Sequence, residues 1–166
     1  MTTILGVDPG SRITGYGVVE ERQGELHAVD CGVVRPDADA PASARYLVIR
    51  NALAELIGRY RPDVVAVESL FFCRNASSAI KLAQVRGVVL LAAAEAGLPV
   101  YEYAPRRVKQ AVVGRGGAAK EQVAEMVKAL LGLREAPEPA DAADALAVAI
   151  CHAQAAGSPL VGGART

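Results

Sequence analysis

Three apolar runs in this sequence each carry acidic residues at one end, and this pattern constrains the fold more than any other feature. Asp8 ends the first run, Glu68 ends the second, and Asp141 and Asp144 begin the third. An ionised carboxylate in an apolar setting is strongly disfavoured unless a cation compensates it. No basic residue lies beside these acids in the sequence. The pattern therefore predicts that the three elements meet and that their carboxylates share one cation site.

Length and composition fit one folded α/β domain. The chain has 166 residues, of which 52% are hydrophobic, enough to bury a core and too many for a disordered chain. No uninterrupted apolar stretch approaches the ~20 residues of a membrane span, so we expect no membrane partner. The N-terminus lacks the features of a signal peptide, and the three cysteines form no C-x-x-C pair. We therefore predict a cytoplasmic protein without disulfides or a structural zinc.

The charges are balanced in number but segregated along the chain. There are 18 basic and 18 acidic residues. Residues 69–86 and 105–120 contain basic residues and no acid, whereas residues 135–144 contain acids and no base. This layout suits a polyanionic substrate held beside a metal in an acidic pocket. Ordinary solvated surfaces would explain the same counts, and composition alone does not separate the two.

Apolar periodicity and turn signals predict one mixed α/β sheet in a single domain over residues 1–156, followed by a disordered tail over 157–166. Strands are predicted over 3–8, 14–21, 25–34, 64–68 and 100–103. Helices are predicted over 43–60 (capped by Ser43), 76–96, 105–113, 118–131 and 140–155. Three antiparallel strands followed by two parallel strands make a five-stranded sheet with helices on both faces.

Asp141 and Asp144 lie three residues apart, so on a helix they share one face. The rest of that helix is almost entirely apolar, which predicts that it packs on the sheet. A divalent metal would relieve both the repulsion and the desolvation of the two carboxylates. The alternative for Asp141 is a favourable interaction with the helix dipole in the first turn. Carboxylate oxygens suit Mg²⁺ or Mn²⁺, and the glycines that follow Asp8 would leave room for a phosphate.

Five motifs, in order along the chain, then become informative together: GVDPGS at 6–11, GYG at 15–17, VESLFF at 67–72, VKQ at 108–110 and ADAADAL at 140–146. Together they resemble the RuvC family of bacterial Holliday-junction resolvases, over roughly residues 3–153. The resemblance implies a ribonuclease H-like fold and a homodimer that cuts four-way DNA junctions symmetrically in recombination and repair. It also implies two Mg²⁺ (or Mn²⁺) ions per protomer and the RuvA–RuvB branch-migration complex as a partner.

The resemblance also assigns residues. Asp8, Glu68, Asp141 and Asp144 match the catalytic, metal-binding carboxylates of the family. Phe71 matches an aromatic residue that reaches into the opened junction, whereas Phe72 is expected in the core. Lys109 and Lys120 match basic residues at the DNA, although either could be an ordinary surface lysine. The acid-free segments supply three further candidates for DNA binding, namely Arg74, Lys81 and Arg115.

The dimer surface is harder to predict. The best candidate is the long helix 76–96, through the apolar side chains Leu82, Val85, Val89 and Leu90. His152 lies ~12 Å beyond Asp144 along the last helix by the helical rise, too far to share its site. Three other functions remain open at this point: a ribonuclease H-like enzyme that processes RNA, an actin-like ATPase or sugar kinase, and a junction-binding protein without catalytic activity.

Overall fold

The computed structural model describes residues 1–69 and 75–156, together with the backbone of residues 164–165. Phe71, Phe72 and Arg74 lie outside the described residues. The strands are β1 (Thr2–Asp8), β2 (Thr14–Arg22), β3 (Glu25–Val34), β4 (Val64–Glu68), β5 (Val100–Tyr103) and β6 (Ala164–Arg165). The helices are α1 (Ala42–Tyr60), α2 (Ala76–Glu95), α3 (Pro105–Val113), α4 (Lys120–Leu130) and α5 (Ala140–Ala156).

One mixed sheet with the strand order β3-β2-β1-β4-β5-β6 forms the centre of the described fold. Strands β1, β2 and β3 pair in antiparallel fashion, while β4 and β5 run parallel to β1. The predicted five-stranded sheet, three strands antiparallel and two parallel, is confirmed. The two-residue strand β6 pairs antiparallel with β5, a pairing that the sequence analysis did not include.

Helices cover both faces of the sheet, as predicted. Side chains of a strand alternate between the two faces, so β1 contributes Leu5 and Val7 to one core and Ile4 to the other. The core on the Leu5 side is completed by α1 and α2, and the core on the Ile4 side by α3, α4 and α5. Helix α5 lies across the sheet and is buried along most of its length, from Ala142 to Ala155. The apolar run that follows Asp141 is therefore a central core helix.

The prediction that Ser43 caps α1 is wrong. The helix begins after Pro41, without a side-chain cap, so Ser43 lies inside its first turn. Pro41 fixes the backbone φ at the N-cap position but has no side-chain acceptor for the first backbone N–H groups. The helix buries Leu53, whereas Leu47 is 59% exposed.

Helix α2 has the length and composition of a membrane span, and it is the one such helix among the described residues. Within the fold it packs on the sheet through Val85 and Val89, which are fully buried. These two residues were predicted at a dimer surface, and that prediction is wrong because the sheet already covers them. The exposed apolar side chains of α2 are Ile80 and Leu91 instead.

Candidate active site

Asp8 and Glu68 lie side by side at one edge of the sheet. Strands β1 and β4 are adjacent and parallel, and Val7 pairs with Val67. The next residue of each strand is therefore a carboxylate at the carboxyl end of a buried strand. Beyond Glu68, the backbone N–H of Ser69 donates a 2.9 Å hydrogen bond to the carbonyl oxygen of Tyr103, which holds this end of β4 against β5.

Three glycines allow α5 to bring its two aspartates to this edge. A Cβ atom at Gly6 would overlap the carbonyl oxygen of Ala145, and one at Gly15 would overlap the carbonyl oxygen of Asp141. At Gly17, a Cβ atom would lie 2.8 Å from the backbone nitrogen of Leu146. The helix backbone thus rests directly on β1 and β2, an approach that side chains would prevent.

The same contact fixes where the helical carboxylates lie. Gly15 pairs with Asp8 across β1 and β2, so the backbone of Asp141 lies over a strand position adjacent to Asp8. The sequence analysis interpreted the glycines as space for a phosphate and missed this role. Glycine inside a strand that is otherwise buried was the available signal.

Burial and the proximity of the carboxylates raise the pKa values of two of them. The pKa of Asp8 rises to about 8, first because of burial and then because of the negative charges of Glu68, Asp144 and Asp141. The pKa of Glu68 rises to about 7, again through burial and then through Asp144. Nearby lysines oppose both shifts without cancelling them. The four predicted carboxylates therefore form one electrostatic unit.

Lys109 and Lys120 both line the same cleft as Asp8, Glu68 and Asp144. Lys120 donates a 2.9 Å hydrogen bond from Nζ to Oδ2 of Asp144, which raises the pKa of the lysine. Lys109 donates a 2.8 Å hydrogen bond from Nζ to the carbonyl oxygen of Ala118, just before α4. The two lysines are thus held at the carboxylates by different partners.

The other predicted DNA-binding residues lie further out. Arg115 is exposed in the α3–α4 loop and donates a 2.9 Å hydrogen bond to Gln122. Lys81 is exposed on α2, one residue before Leu82, which lines the cleft.

His152 is buried and shares a 2.8 Å hydrogen bond with the hydroxyl of Tyr103. It is not among the residues lining the cleft, in agreement with the prediction that it is too distant to bind the metal.

The donor atoms in the cleft fit a divalent cation. In the described part of the chain, no three Asp, Glu, His or Cys side chains converge as closely as a preformed metal site would require. The carboxylates repel one another, and the Lys120 ammonium group holds Asp144. However, the raised pKa values of Asp8 and Glu68 show that these buried groups, when ionised, lack an adequate counter-charge. Hard carboxylate oxygens with that excess charge suit Mg²⁺ or Mn²⁺.

Comparison with known proteins gives a consistent family. Residues 4–152 match the family model described as crossover junction endodeoxyribonuclease RuvC. A protein of that name from Desulfitobacterium hafniense is 54% identical over 150 residues, covering 90% of this chain and 91% of the relative.

Two solved structures have the same fold. The Thermus thermophilus RuvC structure superposes with a TM-score of 0.89 at 44% identity, covering 98% of this chain and 99% of the other. The T. thermophilus RuvC structure in complex with a Holliday junction substrate gives a TM-score of 0.88 at 45% identity, covering 92% and 93%. The predicted ribonuclease H-like fold is confirmed by these similarities.

Proposed function

The chain belongs to the RuvC family of crossover junction endodeoxyribonucleases, and from that membership we propose that Asp8, Glu68, Asp141 and Asp144 are its catalytic carboxylates. The protein is an endonuclease that resolves Holliday junctions in recombination and repair. The observation that carries the residue assignment is the electrostatic unit at the sheet edge. Burial, together with the negative charges of one carboxylate on β4 and two on α5, raises the pKa of Asp8 to about 8 in a cleft that also contains two lysines.

The carboxylates would hold two Mg²⁺ ions per protomer, with Mn²⁺ able to replace them. When bound, such a pair of ions would activate water and stabilise the leaving oxygen of the phosphodiester, giving 5′-phosphate and 3′-hydroxyl ends. Asp8 and Glu68 are fixed by paired strands, and Asp144 by a helix that rests on the sheet. The fold therefore fixes the backbone positions of these ligands, whereas the side chains of the described residues would still have to converge on the ions.

The two lysines would have separate roles. Lys109 is anchored to the carbonyl oxygen of Ala118, so its ammonium group remains a fixed positive charge beside Glu68. It would hold the phosphate backbone near the carboxylates. Lys120 is more exposed and neutralises Asp144 in the absence of metal. Once metal compensates Asp144, Lys120 would be free to contact the substrate phosphate.

A homodimer would supply the paired, symmetric cuts. Two coordinated nicks on a two-fold junction require a two-fold enzyme. The exposed apolar side chains on the α1–α2 face favour this face as the dimer surface, namely Leu47, Val48, Ile80 and Leu91. Family membership further supports a cytoplasmic location and the RuvA–RuvB branch-migration complex as the partner that delivers junctions.

Cleavage of a synthetic four-way junction tests this assignment. Asp144→Asn should cleave roughly 100-fold or more slowly with Mg²⁺, because one ligand charge is lost. Its junction affinity should be equal to or higher than that of the wild type, because phosphate contacts dominate binding and Lys120 is released from its ion pair. Asp39→Asn, at an exposed loop carboxylate, is the matched control.

Matched duplex and RNA–DNA hybrid substrates complete the experiment. Cleavage confined to the junction supports the proposed function, whereas preference for the hybrid would favour an RNA-processing enzyme. Binding without cleavage by the wild type would indicate a junction-binding protein that lacks activity. Near-normal cleavage by Asp144→Asn would overturn the carboxylate assignment.

A further inference from the structure

Two arginines lie at the same edge of the sheet as the carboxylates, on the side away from the lysines. Arg12 is in the turn between β1 and β2, and Arg35 directly follows β3. Since β2 and β3 adjoin β1 in antiparallel order, both positions belong to the sheet edge that carries Asp8. Both side chains are exposed, and neither has a hydrogen-bond or ion-pair partner among the described residues. Neither arginine was identified from the sequence.

The turn that carries Arg12 is well fixed. The Thr14 hydroxyl is buried and donates a 2.8 Å hydrogen bond to the carbonyl oxygen of Gly10. A Cβ atom at Gly10 would overlap the carbonyl oxygen of Ile13, so the turn is also closely packed on itself. Arg12 lies within this closed turn, four residues after Asp8. Its backbone position relative to the carboxylate is therefore set by local hydrogen bonds.

Arg35 is placed by strand pairing. Val34, the last residue of β3, pairs with Thr14 at the start of β2. Adjacent strands lie about 5 Å apart, so β3 is roughly 10 Å from β1. Two acids follow Arg35 in the loop, but the Asp37 carboxylate accepts a 3.0 Å hydrogen bond from the backbone N–H of Asp39. This contact directs Asp37 toward its own loop.

Basic side chains therefore lie at this sheet edge on both sides of β1. Lys109 and Lys120 approach from α3 and α4, whereas Arg12 and Arg35 extend from the β1–β2 turn and the end of β3. A separation of roughly 10 Å corresponds to the rise of about three nucleotides along the axis of B-form DNA. Guanidinium groups bind phosphates through paired hydrogen bonds. These two have no ion pair within the described structure that binding would have to break.

We propose that Arg12 and Arg35 form a second phosphate clamp, which holds the cleaved strand within about three nucleotides of the scissile phosphate, on the side opposite Lys109 and Lys120. This inference rests on the proposed function, because it assigns part of the same substrate. The DNA would contact two positive surfaces with the carboxylates between them. The cleaved strand would then be held on both sides of the reacting phosphate, which fixes the position of that phosphate over the carboxylates.

The test compares Arg12→Gln, Arg35→Gln and the double variant with Arg61→Asn. Arg61 is exposed at the opposite end of the sheet, just before β4, and its left-handed backbone (φ 46°) is one that asparagine tolerates. Binding to a four-way junction is measured in EDTA over a range of salt concentrations. Each clamp substitution should weaken binding several-fold at low salt and flatten the slope of log affinity against log salt by about 0.9 per protomer. Arg61→Asn should leave the slope unchanged.

Neutral methylphosphonate linkages locate the contact. Replacing single phosphates within about three nucleotides of the cut, on the side opposite Lys109 and Lys120, should weaken wild-type binding but should not further weaken the double variant. Arg12→Lys should restore the salt slope, because it restores the charge. Thermal melting of each variant should match that of Arg61→Asn, since all three sites are exposed. Unchanged affinity and slope in the double variant, with normal wild-type cleavage, would overturn the clamp and leave the proposed function intact. Absence of junction cleavage by the wild type would instead reject the proposed function.

Discussion

Asp8 and Glu68 retain protons at pH values where carboxyl groups are normally ionised. Their pKa values rise from 3.8 to about 8 and from 4.5 to about 7, chiefly because both groups are buried. In the unfolded chain the two groups return to their ordinary values. Between the ordinary and the raised pKa values, the folded protein binds more protons than the unfolded one. The stability of the metal-free protein therefore falls as pH rises through this interval and levels off above about 8.

Thermal unfolding at several pH values in EDTA checks this expectation. The melting temperature should decrease from about pH 5 to about pH 8, and Asp8→Asn should remove most of that decrease. Mg²⁺ should raise the melting temperature most at the alkaline end, because ionised carboxylates bind it best. Asp39→Asn should behave like the wild type. If Asp8→Asn shows the full wild-type dependence on pH, the pKa of Asp8 is not raised.

At the scale of single residues, the four carboxylates could be recognised from the sequence. Each lies at the end of an apolar run, and burying an ionised carboxylate is unfavourable in any fold unless a cation compensates it. The pairing of Lys120 with Asp144 could not be predicted in the same way. It spans 24 residues and depends on how α4 and α5 pack. The residues outside the described structure, Phe71 and Arg74, remain predictions.

At the scale of elements, the position of α5 depends on the absence of side chains at three strand positions. Gly17→Ala should destabilise the protein by about 1–3 kcal/mol, because the added carbon lies 2.8 Å from the Leu146 backbone. It should also slow cleavage, since the helix that carries two of the carboxylates must move. Gly58→Ala is the control within α1, where an added carbon meets nothing within 4 Å. It should stabilise by roughly 0.5–1 kcal/mol.

Urea unfolding and single-turnover cleavage measure both effects for each variant. A Gly17→Ala protein with wild-type stability and rate would show that α5 does not need this close approach.

The limits of the helices and strands were well predicted, since apolar periodicity and turn residues are local signals. The depth at which α5 rests on β1 and β2 is a tertiary property, and the periodicity of the helix says nothing about it.

At the scale of the whole molecule, the proposed homodimer should depend on the exposed apolar side chains of α2. Ile80 and Leu91 are 59% and 55% exposed, and no partner within the described chain covers them. Ile80→Lys combined with Leu91→Lys should shift the protein from dimer to monomer in light scattering, because charges oppose burial at an apolar interface. Leu130→Lys, on α4, should leave the dimer intact.

The monomeric variant should also lose coordinated cutting. With a cruciform substrate, the wild type should cut two strands during one binding event, whereas the monomer should leave junctions with a single nick. A double variant that remains dimeric would place the interface elsewhere.

The sequence located this helix but selected Val85 and Val89, because hydropathy alone does not distinguish the side of a helix that faces a sheet from the side that faces another protomer.

The backbone of α5 rests directly on the backbones of β1 and β2, and this contact has a consequence for engineering. The spacing between Asp8 and the aspartates of α5 is set by main-chain atoms, whose dimensions do not vary with sequence. A designer could therefore replace much of the apolar lining on the α1–α2 side, and alter thermal tolerance, without changing the catalytic spacing. The segment formed by β1, β2 and α5 could serve as a template for a nuclease centre in another scaffold. Such a graft would have to keep three positions free of any side chain, at Gly6, Gly15 and Gly17.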